Sequence, residues 1–469
     1  MTGAAPSSRT GWAGWILAPG AAVIALLLWR MYCTVERVQW NGPRLTPSFA
    51  LAEGLNFYGT RSAGPFLGWV YGPVFPLFMV PAALVPNLNG AFALAWGLNL
   101  AAFLLPAWLV ARLALREFRG VATALFFWTA LSLAGEVSHT QFYFLHVDTL
   151  CVGLTLLAGW ALVQAVGQPE LRRWVHAAAA LTALAIWTKQ SAAAVPVIFI
   201  LWLMAAGERP LAGRFLVYVL LYGGLLGVGF MAWFGGEQVL FNLVWVHLHN
   251  PARPDGQGAF YGQLLASSPG WLIPGVALVL ARRAHGIAEE CAAPARRMQS
   301  LLLWLAIGSL PLGLVAASKV AGGWNSLHSL NFALLWLALA LAREATQPGL
   351  GRAARLALVV AGGAPLVTGW LAAEAADLRW RPDTIQAEAL ASAREHAGHL
   401  YLPWNPLVTV ITDHKIYPFD DALVCLSRLG IPASIEAVRR DIPTRAIVVY
   451  PEPAQSQYAL QYLQKDAGN

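Results

Sequence analysis

EVSHTQFYFLHVDTLCVGLTLLAGWALVQAVGQPELRRWVHAAAALTALAIWTKQS, residues 136–191, is the stretch on which the rest of the chain depends. Two apolar runs, each close to the roughly 20 residues that cross a bilayer, are separated by the basic turn QPELRRW. Two ionisable groups interrupt them: Asp148 at the head of the first run, and Lys189 in a break at Thr188–Ser191. An ionisable side chain beside hydrocarbon costs several kcal/mol unless it is paired or faces water, so both positions are candidate functional sites. For Asp148 the competing reading is a helix N-cap, which favours Asp without any function. For Lys189 it is a side chain that snorkels to the interface.

Composition sets the class. Of 469 residues, 58% are hydrophobic and 12% charged, with a mean hydropathy of +0.55. No soluble core needs that much apolar surface, whereas a bilayer does. The net charge of +7 comes from Lys and Arg in short turns between apolar runs, a pattern that orients membrane segments and gives no sign of a nucleic-acid partner. Cys33, Cys151, Cys291 and Cys425 are scattered, without disulfide or metal spacing. Arg9 precedes an apolar run with no clean small-residue cleavage site after it, which reads as a retained first span.

The pattern predicts an α-helical polytopic membrane protein with about eleven transmembrane helices, interfacial helices in the first outer loop and a small C-terminal α/β domain. Spans are expected near 12–32, 90–113, 120–135, 147–166, 174–188, 191–206, 214–235, 270–282, 299–318, 328–343 and 355–374. The segment 70–86 carries Pro73, Pro76, Pro81 and Pro86, too many for a spanning helix, and reads as interfacial or re-entrant. With the Arg-rich turns cytoplasmic, the N-terminus lies inside and the C-terminus outside. The expected domains are 1–376 in the membrane and 377–469 outside it. In the latter, helices near 383–396 and 420–429 alternate with strands HLYLPW and AIVVYP.

On this topology the polar and aromatic loops share one face, the extracytoplasmic one, and candidate chemistry gathers there. Glu36, just past the first span, could face one cavity with Asp148, and two carboxylates suit general-base work or a metal. Glu53, in ALAEG, reads as a solvated helix face. Lys189, Arg61 and Lys319 could hold a phosphate, or could snorkel. The HxH pair His247 and His249 is more often structural than metal-binding. Asn325 and His328 in GGWNSLH, with Trp324 and the aromatic run before His146 that includes Tyr143, offer amide, imidazole and aromatic groups to a sugar. No P-loop, GxSxG or HExxH is present.

The order YGP–apolar (Tyr71–Pro73), REFRG (Arg116–Gly120), HVD (His146–Asp148) and TKQSA (Thr188–Ala192) resembles the GT-C class of polytopic glycosyltransferases. The nearest branch is that of protein O-mannosyltransferases and lipid A aminoarabinose transferases. The likeness covers about residues 10–345, through short motifs whose order carries it. It implies a membrane glycosyltransferase moving a sugar from a polyprenyl-phosphate donor to a glycolipid, polysaccharide or protein acceptor, in the cytoplasmic (inner) membrane and among its lipids. By the same resemblance Asp148 and Glu36 are the catalytic candidates. For such a donor, Lys189, Arg61 and Lys319 on the outer face are the candidate phosphate ligands, and His146, Tyr143, Trp324, Asn325 and His328 the candidates for the sugar and acceptor. The chain departs from the class in the first outer loop, where GPRLTPSF replaces an expected Asp-Glu, and at His146, where the class has Arg. No cofactor is implied; a divalent metal is compatible with paired carboxylates, but no sequence pattern calls for one. The alternatives are a non-catalytic relative that binds lipid-linked sugar, and a lipid or solute transporter.

Overall fold

The computed structural model describes residues 41–60, 69–115, 145–166, 172–252, 293–319, 324–343, 384–428 and 434–450, with shorter pieces between them. The chain enters this region through α1 (Asn41–Ala52) and α2 (Val74–Ala83), both too short to span. Ten residues of α2 rise about 15 Å, half the hydrocarbon thickness. Pro73 precedes α2 and Pro76 lies in its first turn, where amides have no intrahelical partner, so only Pro81 removes an internal bond. The proline-rich segment is therefore a short helix, in keeping with the sequence.

The bundle follows: α3 (Leu88–Leu115), α4 (Val147–Ala165), α5 (Trp174–Thr188), a 3-10 turn (Gln190–Ala194), α6 (Val195–Ala205) and α7 (Arg209–Phe234). After α7 come α8 (Gly236–Leu240), a π turn (Phe241–Trp245) and α9 (Val246–His249). Then come α10 (Ala293–Ala317), a 3-10 turn (Trp324–Leu327) and α11 (His328–Arg343). Among the described residues, α3, α4, α7 and α10 are long and apolar enough to cross a membrane, with shorter apolar helices packed beside them. In hydrocarbon only a helix satisfies its own backbone, so these apolar runs have one stable conformation.

The four differ in enclosure. Of the apolar window of α4, 78% is buried, against 22% for α7, whose Leu220, Leu225 and Val228 face outwards. Helix α4 thus stands at the centre of the bundle, packed on α3 and α5. Gly153 permits this: a Cβ there would lie 1.9 Å from the Ala102 carbonyl oxygen, so the α3 and α4 backbones touch.

The spans expected over 90–113, 147–166, 174–188, 191–206, 214–235, 299–318 and 328–343 coincide with α3, α4, α5, the 3-10 turn with α6, α7, α10 and α11. Those over 12–32, 120–135, 270–282 and 355–374 fall wholly or largely outside the described residues.

The C-terminal segment holds α12 (Ile385–Glu395), β1 (Leu400–Tyr401), α13 (Pro406–Asp413), α14 (Asp420–Arg428), α15 (Ile435–Asp441) and β2 (Ile447–Val448). Strands β1 and β2 pair in parallel, Leu400 with Ile447 and Tyr401 with Val448. The sequence reading missed α13 and α15, and its two strands shrink to two residues each. Helix α13 docks on α1: Leu407 and Val410 join Leu45 and Phe49 in one buried apolar cluster. The C-terminal segment therefore packs on the first loop.

Candidate functional site

Helix α4 begins with His146 in extended conformation (φ −116°, ψ 139°) at the N-cap, which puts Asp148 inside the first turn. The N-cap reading of Asp148 is thereby corrected: His146 occupies that position. Asp148 is only 4% exposed, and its carboxylate accepts from Lys189 Nζ and lies against His146 Nδ1. A carboxylate in a first turn is favoured by the helix dipole, and here it also has a full cation.

Lys189 reaches Asp148 because α5 stops where it does. The Thr188 hydroxyl donates back to the Leu184 carbonyl (2.8 Å), and Lys189 then turns extended (φ −150°, ψ 133°) before the 3-10 turn starts. The break predicted from the sequence thus delivers an ammonium group to the head of the preceding helix, α4. His146 Nδ1 lies 3.2 Å from the Asp148 amide and closer to the Asp148 carboxylate. One nitrogen cannot accept from the amide and donate to the carboxylate at once. The nearer carboxylate places the proton on Nδ1. Burial, with Arg44 and Lys189 nearby, holds the His146 pKa below its ordinary value despite Asp148, so the ring is neutral at pH 7.

The loop ahead of α2 closes over this pair. Gly72 donates to the Thr188 carbonyl (3.2 Å), and a Cβ at Gly72 would fall 1.6 Å from the Trp187 carbonyl oxygen, so only glycine allows the approach. The Val70 carbonyl accepts from Gln190 Nε2 (3.0 Å) and His247 Nε2 (2.7 Å), and the Tyr71 carbonyl from the Tyr58 hydroxyl (2.6 Å). The loop so pinned holds Tyr71 between two cations: Arg44 Cζ is 5.2 Å and Lys189 Nζ 5.8 Å from its ring centroid. Burial alone would lower the Arg44 pKa, but Tyr71, Asp421 and Asp148 outweigh it and raise the pKa above the ordinary value.

Beneath Asp148 a cleft runs between α4, α6, α10 and the turn before α11, lined by Asp148, Thr155, Ser191, Ser309, Ser326 and Ser329 among apolar side chains. The Thr155 hydroxyl donates to the Cys151 carbonyl (2.9 Å) and that of Ser309 to the Leu305 carbonyl (2.5 Å). Their protons are spent on their own helices, so what they turn to the cleft is oxygen lone pairs. The site therefore joins a buried carboxylate–ammonium pair to a cleft lined by hydroxyl and apolar side chains.

Of the residues predicted from sequence, Asp148, Lys189 and His146 come together. Lys319 lies on the same side, donating to the His247 carbonyl (3.2 Å) from a bridge with Ala252. Trp324 and Asn325 sit in the 3-10 turn and His328 opens α11, next to Ser326 and Ser329 of the cleft. Glu36, Arg61 and Tyr143 lie outside the described residues. Glu53 is on the surface, 2.7 Å from His414 Nδ1. His247 spends Nε2 on Val70, His249 stacks on Trp245 at 4.0 Å, and no cluster of three or more potential metal ligands occurs among the described residues. Where an acid was expected near α1, Asn41 is buried, its amide donating to the Val35 carbonyl (2.7 Å) and its oxygen accepting from the Leu145 amide (2.8 Å). Sequence reasoning missed Arg44 as a site residue; no nearby charge or motif marks it. Tyr71 was quoted as part of a motif, without a role.

No protein-family model matches the chain, and no curated protein matches it. Among solved structures, the crystal structure of ArnT from Cupriavidus metallidurans bound to undecaprenyl phosphate is similar at a TM-score of 0.57 and 14% identity. The match covers 96% of this chain and 88% of that one. The apo state of the same protein gives a TM-score of 0.49 at 16% identity, over 90% of this chain and 91% of that one. At such identity a likeness speaks for fold alone, and what this chain shares with ArnT is its polytopic membrane fold.

Proposed function

We propose that the chain is a membrane glycosyltransferase that moves a sugar from a polyprenyl-phosphate donor to an acceptor, with Asp148 and Lys189 at the reacting centre. The observation that carries this reading is the buried Lys189–Asp148 pair, whose carboxylate lines a cleft between helices. The fold supports it, since ArnT was crystallised with undecaprenyl phosphate. A lipid-linked donor needs a cation for its phosphate and polar walls for its sugar, beside apolar surface for its chain.

Lys189 neutralises Asp148 through their ion pair. An arriving phosphate competes for the ammonium, and as Lys189 turns to it the carboxylate regains basicity. Asp148 then takes the proton of an acceptor O–H or N–H, and the freed electron pair bonds to the anomeric carbon. The bond from that carbon to the phosphate oxygen breaks, and polyprenyl phosphate leaves with its electron pair, held by Lys189 and Arg44. Lys319 and Arg61 extend the cationic mouth; His146, Tyr143, Trp324, Asn325 and His328 wall the sugar and acceptor; Glu36 is the second candidate carboxylate. On this reading the site and the domain over 377–469 face outward from the cytoplasmic membrane.

Titration of the purified protein with undecaprenyl phosphate and with undecaprenol, followed by tryptophan fluorescence, tests the donor class. The phosphate form should bind saturably and at least about tenfold more tightly, the factor of one charge-assisted contact. Equal affinities would contradict it.

A further inference from the structure

Among the described residues, α7 is the least enclosed of the four long apolar helices, yet its inner side supports the site. Gly223, Gly227 and Phe230 stand at i, i+4 and i+7, so they form one stripe, and Trp187 of α5 lies on it. Its indole Nε1–H donates to the Gly223 carbonyl (2.9 Å), and its ring meets that of Phe230 edge-on at 5.3 Å. A Cβ at Gly227 would fall 2.9 Å from Trp187 Cζ2, so the bare glycine makes the notch that the indole fills. The peptide of the same residue is held as well. The Trp187 carbonyl abuts Gly72, whose amide donates to the Thr188 carbonyl (3.2 Å). Helix α5 ends at Thr188, and Lys189 then turns to Asp148. Trp187 is thus fixed at side chain and backbone two residues before the ammonium group.

We propose that Trp187 is a positioning residue of the site: seated on Gly223 and Gly227, it sets where α5 breaks and so where Lys189 meets Asp148 and the donor phosphate. An indole is large and turns about only two side-chain bonds, so a seated one fixes the backbone that carries it. The proposal rests on the donor-phosphate reading. It gives α7, whose Leu220, Leu225 and Val228 face outwards, a part in placing the cation. A methyl group at residue 227 would push the indole off its seat, and the end of α5 with it. Lys189 would then reach the phosphate poorly, while the surface that takes the polyprenyl chain would stay as it is.

Undecaprenyl phosphate and undecaprenol, each titrated against the full chain in detergent, separate placement of the cation from general damage. Gly227→Ala should weaken binding of undecaprenyl phosphate about tenfold, the factor of one charge-assisted contact, and leave that of undecaprenol unchanged. Gly224→Ala is the control, since a Cβ there meets no atom within 4 Å, and it should change neither affinity. Trp187→Phe keeps a ring but lacks both the N–H and Cζ2. Alone it should weaken binding of the phosphate form about threefold, the factor of one net hydrogen bond. Added to Gly227→Ala, it should bring the larger loss back to that level. Equal weakening of both lipids by Gly227→Ala, or additive losses in the double variant, would mark a merely structural residue and overturn the proposal. Weakening by Gly224→Ala to the same extent would overturn it too. So would unchanged phosphate affinity in Gly227→Ala, or in Trp187→Phe should Gly227→Ala fail to fold. If the wild-type chain showed no preference for the phosphate form, the donor reading would fall and this inference with it. A preference left intact in both variants would remove this inference alone.

Discussion

Lys189 and Asp148 spend their charges on each other in a place where water screens neither: their side chains are 12% and 5% exposed. Removing one partner of such a pair leaves the other charge buried and uncompensated, which costs about 3–5 kcal/mol, whereas removing both costs much less. Lys189→Met should therefore destabilise the protein by about that much in detergent unfolding, and adding Asp148→Asn should recover most of the loss. Equal losses in the single and double variants would contradict the pairing as the dominant interaction of Lys189. Each residue was visible in the sequence because an ionisable side chain stands out in an apolar run. Their partnership was not visible, since 41 residues separate them and only the end of α5 and the start of α4 bring them together. Arg44 left no trace at all. Its surroundings come from Tyr71, from α4 and from a C-terminal segment more than 300 residues away, and no local pattern encodes that.

Helices long enough to cross a membrane are the elements that sequence reads best, because hydrocarbon leaves the backbone one way to satisfy itself. The positions of α3, α4, α5, α7 and α10 follow from apolar runs and basic turns alone. Short helices of the C-terminal segment are harder: α13 has eight residues, and its apolar face is matched to α1, not to its own neighbours in sequence. That docking has a topological consequence. Since α13 packs on α1, and α1 carries Arg44 to the site, the segment after Trp380 and the Asp148–Lys189 mouth share one side of the bundle. The Arg-rich turns, cytoplasmic in the orientation proposed above, should lie on the other. Reporter fusions placed after Glu374 and within Arg282–Arg297 should accordingly report opposite compartments, and a single compartment for both would contradict the orientation proposed above.

At the scale of the whole molecule, a fold similar to that of ArnT sets the Asp148–Lys189 pair beside a cleft between helices, and the C-terminal segment docks on α1. The opening turn of α1 offers no acid, and Asn41 there is committed to the Val35 and Leu145 backbone; in the proposed reaction the base is therefore Asp148, with Glu36 as the second candidate. This is what separates an enzyme from a protein that only holds a lipid-linked sugar. Asparagine at 148 keeps the shape and removes the negative charge, and His146 remains at the N-cap. The most direct test is the rate at which membranes containing the wild-type chain or Asp148→Asn convert a labelled undecaprenyl-phosphate sugar to free undecaprenyl phosphate. The wild type should consume the donor, and the variant should be slower by about a hundredfold or more, as the loss of a general base requires. Equal rates in the two, or no consumption by the wild type, would contradict it.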